Sequence, residues 1–183
     1  MNVPPSGAQE STGKGFVVAD TTPLNYLILI EAVEVLPVLF HRICVPEAVA
    51  EEMSRPAAPN RVRSWIASPP AWFEMCSSEE LMRDLPKAFR PLHSGERAAL
   101  ALALNLECDF VLIDERLGTK IASDLGLNPT GTLGILELAA KRRLIDLSVM
   151  IDRLKTTNFR YPKALVERLL VEDAGYGLQG ERT

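Results

Sequence analysis

Two short, unbroken apolar runs, Phe16 to Ala19 and Phe110 to Ile113, are each stopped by an aspartate, Asp20 and Asp114. A strand buried on both faces reads as a continuous apolar run, because neither side of it meets water. Such strands pair in parallel, and parallel neighbours need a crossover connection, usually a helix. Helical stretches supply those crossovers. They run from about Pro23 to Glu31, Val33 to Phe40, Pro46 to Ser54 and Asn60 to Ala67, then Ser94 to Leu106, Leu117 to Leu125, from the Thr130-Gly-Thr-Leu-Gly134 segment to the basic triplet Lys141-Arg142-Arg143, Ser148 to Thr156 and Pro162 to Asp173. Further strands are expected at Arg42 to Val45 and Trp72 to Cys76, and the apolar run before Asp114 extends back to Asp109. Pro23 and Pro46 suit first turns, Ser94 suits an N-cap, and Gly126 suits a helix stop. Strands alternating with helices of about 10 residues imply right-handed βαβ units: a three-layer α/β/α domain with a mostly parallel sheet of four or five strands.

The chain has 183 residues, 47% hydrophobic and 24% charged, which suits one globular domain and excludes a disordered chain. The domain is expected over 16–174, behind a disordered leader at 1–15 rich in Pro, Ser and Gly and ahead of a flexible tail at 175–183. No apolar run reaches the roughly 18–20 residues that a membrane helix needs, so no membrane partner is expected. The three cysteines, Cys44, Cys76 and Cys108, form no C-x-x-C pair; structural disulfides and zinc are not expected, and a cytoplasmic location is. The net charge of −4 argues mildly against broad electrostatic binding to nucleic acid, although a carboxylate cluster that binds cations makes the bare chain look more acidic than the working protein.

Topology gathers the acids. In an open parallel sheet, ligands bind beyond the carboxyl ends of the strands, where Asp20 and Asp114 stand. Glu96 lies in the first turn of a helix that precedes a parallel strand, so it starts at the same edge. Glu52 is about 9 Å along the helix that follows Pro46 and can reach the others. Carboxylates crowded together repel and are costly to desolvate, so they need a cation. All-oxygen donors favour Mg²⁺ or Mn²⁺, and two such ions about 4 Å apart activate a water against a phosphodiester. Singly, Asp20 also reads as a turn acid, Glu52 as a solvated helix residue, Glu96 as a favourable dipole partner, and Asp114 as a strand-end acid whose neighbour Glu115 is an alternative ligand. Glu51 reads as solvated.

These segments resemble the PIN-domain family. Val17-Val-Ala-Asp-Thr-Thr-Pro-Leu24 is similar to its opening strand, and Pro46, Val49 and Glu52 match a Pro-x-x-Val-x-x-Glu pattern in Val45 to Met53. Ser94 to Ala103 is similar to the third segment, with Glu96 as its acid, and Phe110 to Gly118 to the fourth, with Asp114. Thr130-Gly-Thr-Leu-Gly-Ile-Leu136 resembles one bacterial and archaeal branch of predicted nucleic-acid-binding members, which often has a second Asp where this chain has Glu115. The resemblance covers about 16–170. It implies Mg²⁺- or Mn²⁺-dependent endonucleolytic cleavage of RNA by Asp20, Glu52, Glu96 and Asp114, with Asp20, Glu96 and Asp114 as metal ligands. Many small members resemble VapC toxins, which implies a small antitoxin partner and a homodimer. The alternative is a catalytically weak PIN-like module that works by binding RNA or a protein.

Among supporting residues, the Thr22 hydroxyl is a candidate to orient Asp20 or a water, and equally a helix N-cap. Arg55, Arg61 and Arg63 are candidate phosphate contacts, against the alternative that they are simply solvated. His41 and His93 are too few and scattered for a metal or triad. An Asp followed by Thr after strand one is also similar to haloacid-dehalogenase-like phosphatases, but those need a second Asp two residues on, where this chain has Thr22.

Overall fold

A computed structural model describes residues 15–179. Apart from Gly15, the expected leader lies outside the described residues, as do 180–183. Five strands, β1 (Gly15–Ala19), β2 (Phe40–Pro46), β3 (Phe73–Cys76), β4 (Phe110–Leu112) and β5 (Pro129–Thr130), form one sheet in the order β3-β2-β1-β4-β5. Every pairing is parallel, with Val18 opposite Cys44 on one side and Val111 on the other. The helices are α1 (Thr21–Leu29), α2 (Leu36–Leu39), α3 (Glu47–Ser54), α4 (Asn60–Ile66), α5 (Ser94–Asn105), α6 (Arg116–Asp124), α7 (Thr132–Lys141), α8 (Leu147–Lys155) and α9 (Lys163–Gln179).

The pleat divides each strand between two cores. Val17, Ala19, Ile43, Val45 and Leu112 face one, closed by α1, α3, α7, α8 and α9. Val18, Cys44, Val111 and Ile113 face the other, under α5 and α6. Val17 and Val18 are both fully buried, which is why the run before Asp20 shows no alternation. Each such side chain contributes roughly 1.5–3 kcal/mol of burial. The result is the expected three-layer α/β/α domain, with the sheet parallel throughout. Among the described residues no single helix is long and apolar enough to cross a membrane.

Several elements differ from expectation. Asp20 already has extended geometry as the N-cap of α1, so the helix starts at Thr21, ahead of Pro23, and ends at Leu29. The stretch from Val33 to Phe40 splits into a 3₁₀ turn (Val33–Val35) and the short α2, with Pro37 in the first turn of the second piece. The N-cap of α5 is His93 and not Ser94. The α9 helix continues to Gln179, beyond the expected end near Asp173.

The larger correction concerns the cysteines. Cys44 on β2 and Cys76 on β3 form a disulfide across 32 positions, with Cα atoms 6.0 Å apart, while Cys108 is free and buried. No local spacing announces this bond, because only the α3–α4 crossover sets the two cysteines on neighbouring parallel strands. The cysteines therefore no longer argue for a reducing compartment.

Candidate acidic site at the carboxyl edge of the sheet

The strand order reverses between β1 and β4, the two neighbours whose ends carry Asp20 and Asp114. The Asp20 amide donates to the Leu112 carbonyl at 2.9 Å, which ties the first strand end to the second. Asp20 is only 3% exposed, and its carboxyl is pushed up to about 7. Burial is the main cause, and the charges of Glu96 and Glu52 add to it. The Thr21 and Thr22 amides at the start of α1 pull the other way, though neither makes a capping hydrogen bond to the side chain. The charges that act on Asp20, those of Glu96 and Glu52, are both negative, and among the described residues no cation is paired with it.

Glu52, half-buried on α3, is held by the Thr21 hydroxyl, which donates to its Oε2 at 2.9 Å. Glu96, in the first turn of α5, is 7% exposed, and its Oε2 accepts from the His93 amide at 2.8 Å. That bond fixes the acid to the start of its own helix as a capping box. Two glycines keep the space open. A Cβ on Gly95 would stand 3.0 Å from Glu52 Oε2 and 3.2 Å from Asp20 Oδ1, so both oxygens crowd the first turn of α5. A Cβ on Gly131 would come within 2.5 Å of Asp114 Oδ1.

Asp114 is placed differently. Thr132, fully buried at the start of α7, donates its amide to Oδ1 at 2.8 Å and its hydroxyl to Oδ2 at 2.6 Å. Desolvation raises the Asp114 carboxyl, and the two Thr132 bonds pull it down. Thr132 lies inside the Thr130-to-Leu136 segment that carried the resemblance, but nothing in its residue type assigned it to this acid.

The structure thus brings Asp20, Glu52 and Glu96 around one space and sets Asp114 at the neighbouring strand end. Other expected partners are elsewhere. Thr22 is half-buried inside α1, and its neighbour Thr21 supplies the hydroxyl that reaches an acid. Glu115 turns away: it is exposed and caps α6, with Oε2 accepting from the Leu117 and Gly118 amides. Arg55 lines a cavity of about 380 Å³ with Thr21 and Glu52. Arg61 is paired with Glu31, just beyond the far end of α1 from Asp20, and Arg63 donates to its own helix at Asn60. Glu51 is exposed.

Hard oxygen donors around a buried carboxylate that has no positive partner among the described residues fit a divalent cation in kind. As they stand, however, no three His, Cys, Asp or Glu side chains among the described residues close around a common point. A comparison with curated proteins found no match. The family model DUF3368, a PIN domain, matches residues 16–174, nearly the whole described chain. PIN domains are generally nucleases, commonly bind nucleic acid and typically use divalent metal ions. The all-parallel sheet, the acids at its carboxyl edge and this match agree: the chain belongs to the PIN-domain family.

Proposed function

We propose that this protein is a divalent-metal-dependent endoribonuclease, the toxin of a toxin–antitoxin pair. The observation that carries the reading is Asp20, a buried carboxylate whose nearest charged neighbours are two more acids. Asp20, Glu96 and Asp114 would hold Mg²⁺ or Mn²⁺, and Glu52 would complete the catalytic set. When bound, such ions supply an activated water and neutralise the charge that develops on a phosphodiester. The chain's own residues prepare that site. Thr21 sets Glu52, the His93 amide sets Glu96, and Thr132 sets Asp114. Gly95 and Gly131 keep the space between them free of side chains. Hydrolysis would add water across one P–O bond and leave one phosphate end and one hydroxyl end. A small antitoxin, a homodimer and a cytoplasmic location complete the proposal.

One observation favours the second reading, a binding module with weak catalysis. Both Asp114 oxygens are already engaged by Thr132, and no three acids close on one point. Labelled RNA incubated with Mn²⁺ separates the two. Asp20→Ala and Asp114→Ala should each abolish cleavage while metal-free RNA binding changes little. Mg²⁺ should raise the melting temperature of the wild type and leave that of Asp20→Asn unmoved. RNA that is bound but never cut, with equal metal responses in both proteins, would install the binding module instead.

A further inference from the structure

A cavity of about 680 Å³ is lined by Asp114 and does not include Asp20. Part of its lining is small or apolar: Gly131, Gly134, Leu133 and Leu165. One wall carries Phe159 and Tyr161, whose rings stack 22° from parallel with centroids 6.2 Å apart. Phe159 is fixed from behind by Tyr26, edge-on at 4.6 Å. The rim carries Arg116, Lys120 and Arg160. Lys120 is paired with Asp124 at 2.5 Å, whereas among the described residues neither Arg116 nor Arg160 has an acidic partner. In a chain of net charge −4, two arginines without an acidic partner among the described residues, beside the half-buried Asp114, are a local reversal of sign. Burial raises the Tyr26 hydroxyl, the Asp114 charge raises it further and Arg160 lowers it, so the rim and the acid share one neighbourhood.

We infer that this cavity is a nucleotide subsite for single-stranded RNA, stacking one base on Tyr161 and receiving the adjoining phosphates on Arg116 and Arg160. The inference rests on the ribonuclease reading and adds where the strand lies. Aromatic faces accept any unpaired base, and arginine forks suit phosphate oxygens. A duplex hides its base faces within the stack and cannot use Tyr161. The strand would then run past Asp114 towards the cavity beside Glu52 and Arg55, with the acids under the phosphate between them.

The test is fluorescence anisotropy with a fluorescein-labelled single-stranded RNA, about eight nucleotides long to match one binding channel, in EDTA so that nothing is cut. Arg116→Ala and Arg160→Ala should each lower the slope of log affinity against log salt by about 0.7. Tyr161→Ala should weaken binding about tenfold without changing that slope, and Tyr161→Phe should restore it. Both arginines are exposed, so those variants carry the test even if Tyr161→Ala fails to fold. RNA that binds with these responses but resists Mn²⁺ would keep the subsite and remove the nuclease. RNA cut by every variant at the wild-type kcat/KM, with an unchanged salt slope, would keep the nuclease and overturn the subsite, leaving the cavity to an acidic protein segment.

Discussion

Asp20 and Asp114 end adjacent parallel strands and both suffer desolvation, yet their surroundings are opposite. Asp20 is pressed against Glu52 and Glu96, with only the weakly placed amides of α1 to favour its charge. Asp114 receives two short bonds from Thr132 and faces a cavity rimmed by arginines. One side of the site is short of positive charge and the other is satisfied. A cation would therefore be needed chiefly on the Asp20 side, while the Asp114 side is already organised in its absence. That asymmetry predicts substitutions of opposite sign at two residues that a sequence presents as equivalents.

The largest effect should come from Asp20. Its carboxyl sits at about 7 in the fold and near 3.8 when free, so between those values the native state binds more protons than the unfolded one. Stability of the metal-free protein should therefore fall as pH rises from about 4 to about 7, by on the order of a few kcal/mol. Asp20→Asn abolishes this titration, so at pH 8 the variant should be the more stable protein, and at pH 4 the two should converge. Urea denaturation across that range in EDTA measures it. A flat wild-type profile would mean that Asp20 has a counter-charge, and the contrast between the two sides would collapse.

The next effect has the opposite sign. Asp114→Ala strands the Thr132 amide and hydroxyl, and an orphaned buried donor costs roughly 1–3 kcal/mol. Thr132 is fully buried, so water cannot easily replace the lost acceptor. Metal-free stability should drop at pH 8, where Asp20→Asn gains. Two stabilising substitutions would show that both acids are strained, and that Thr132 contributes little to the satisfied side.

How much of this was legible in the sequence follows from the range of the forces involved. The unbroken apolar runs before Asp20 and Asp114 encode burial on both faces, and parallel pairing then places those acids and the start of α5 on one edge. Glu52 followed from its distance along α3. What stayed hidden depends on rotation or on distant partners. Adjacent threonines at the head of α1 look alike, and only the packing of α3 selects the Thr21 hydroxyl over that of Thr22. Glu115 follows Asp114 directly, but the start of α6 turns it outward into a cap. Arg61 is claimed by Glu31, which is 30 positions away. The two-residue β5 contains a proline and carries too little pattern to be seen, although it sits opposite Leu112 and leads into Thr132. The Cys44–Cys76 bond depends on a crossover in the same way.

The smallest effect compares the two threonine hydroxyls directly. Thr132→Val keeps side-chain shape and the backbone bond to Asp114 but deletes one of the two hydrogen bonds to that acid, worth about 1–1.5 kcal/mol. Thr21→Val deletes the bond to Glu52, an acid that is half-buried and reachable by water, so the loss should be at the lower end, about 0.5–1 kcal/mol. Activity should rank them the other way. Glu52 has one hydrogen bond in the described structure, so without Thr21 its carboxylate is free to leave the position beside Asp20. Asp114 without the Thr132 hydroxyl is still held by the amide. Thr21→Val should thus melt close to wild type and cut RNA more slowly, and Thr132→Val should melt lower and retain more of its rate. Paired melting curves and initial cleavage rates in Mn²⁺ decide the ordering. If Thr21→Val cuts at the wild-type rate, Glu52 needs no positioning, and the loosely held half of the site is not where the chemistry depends on geometry.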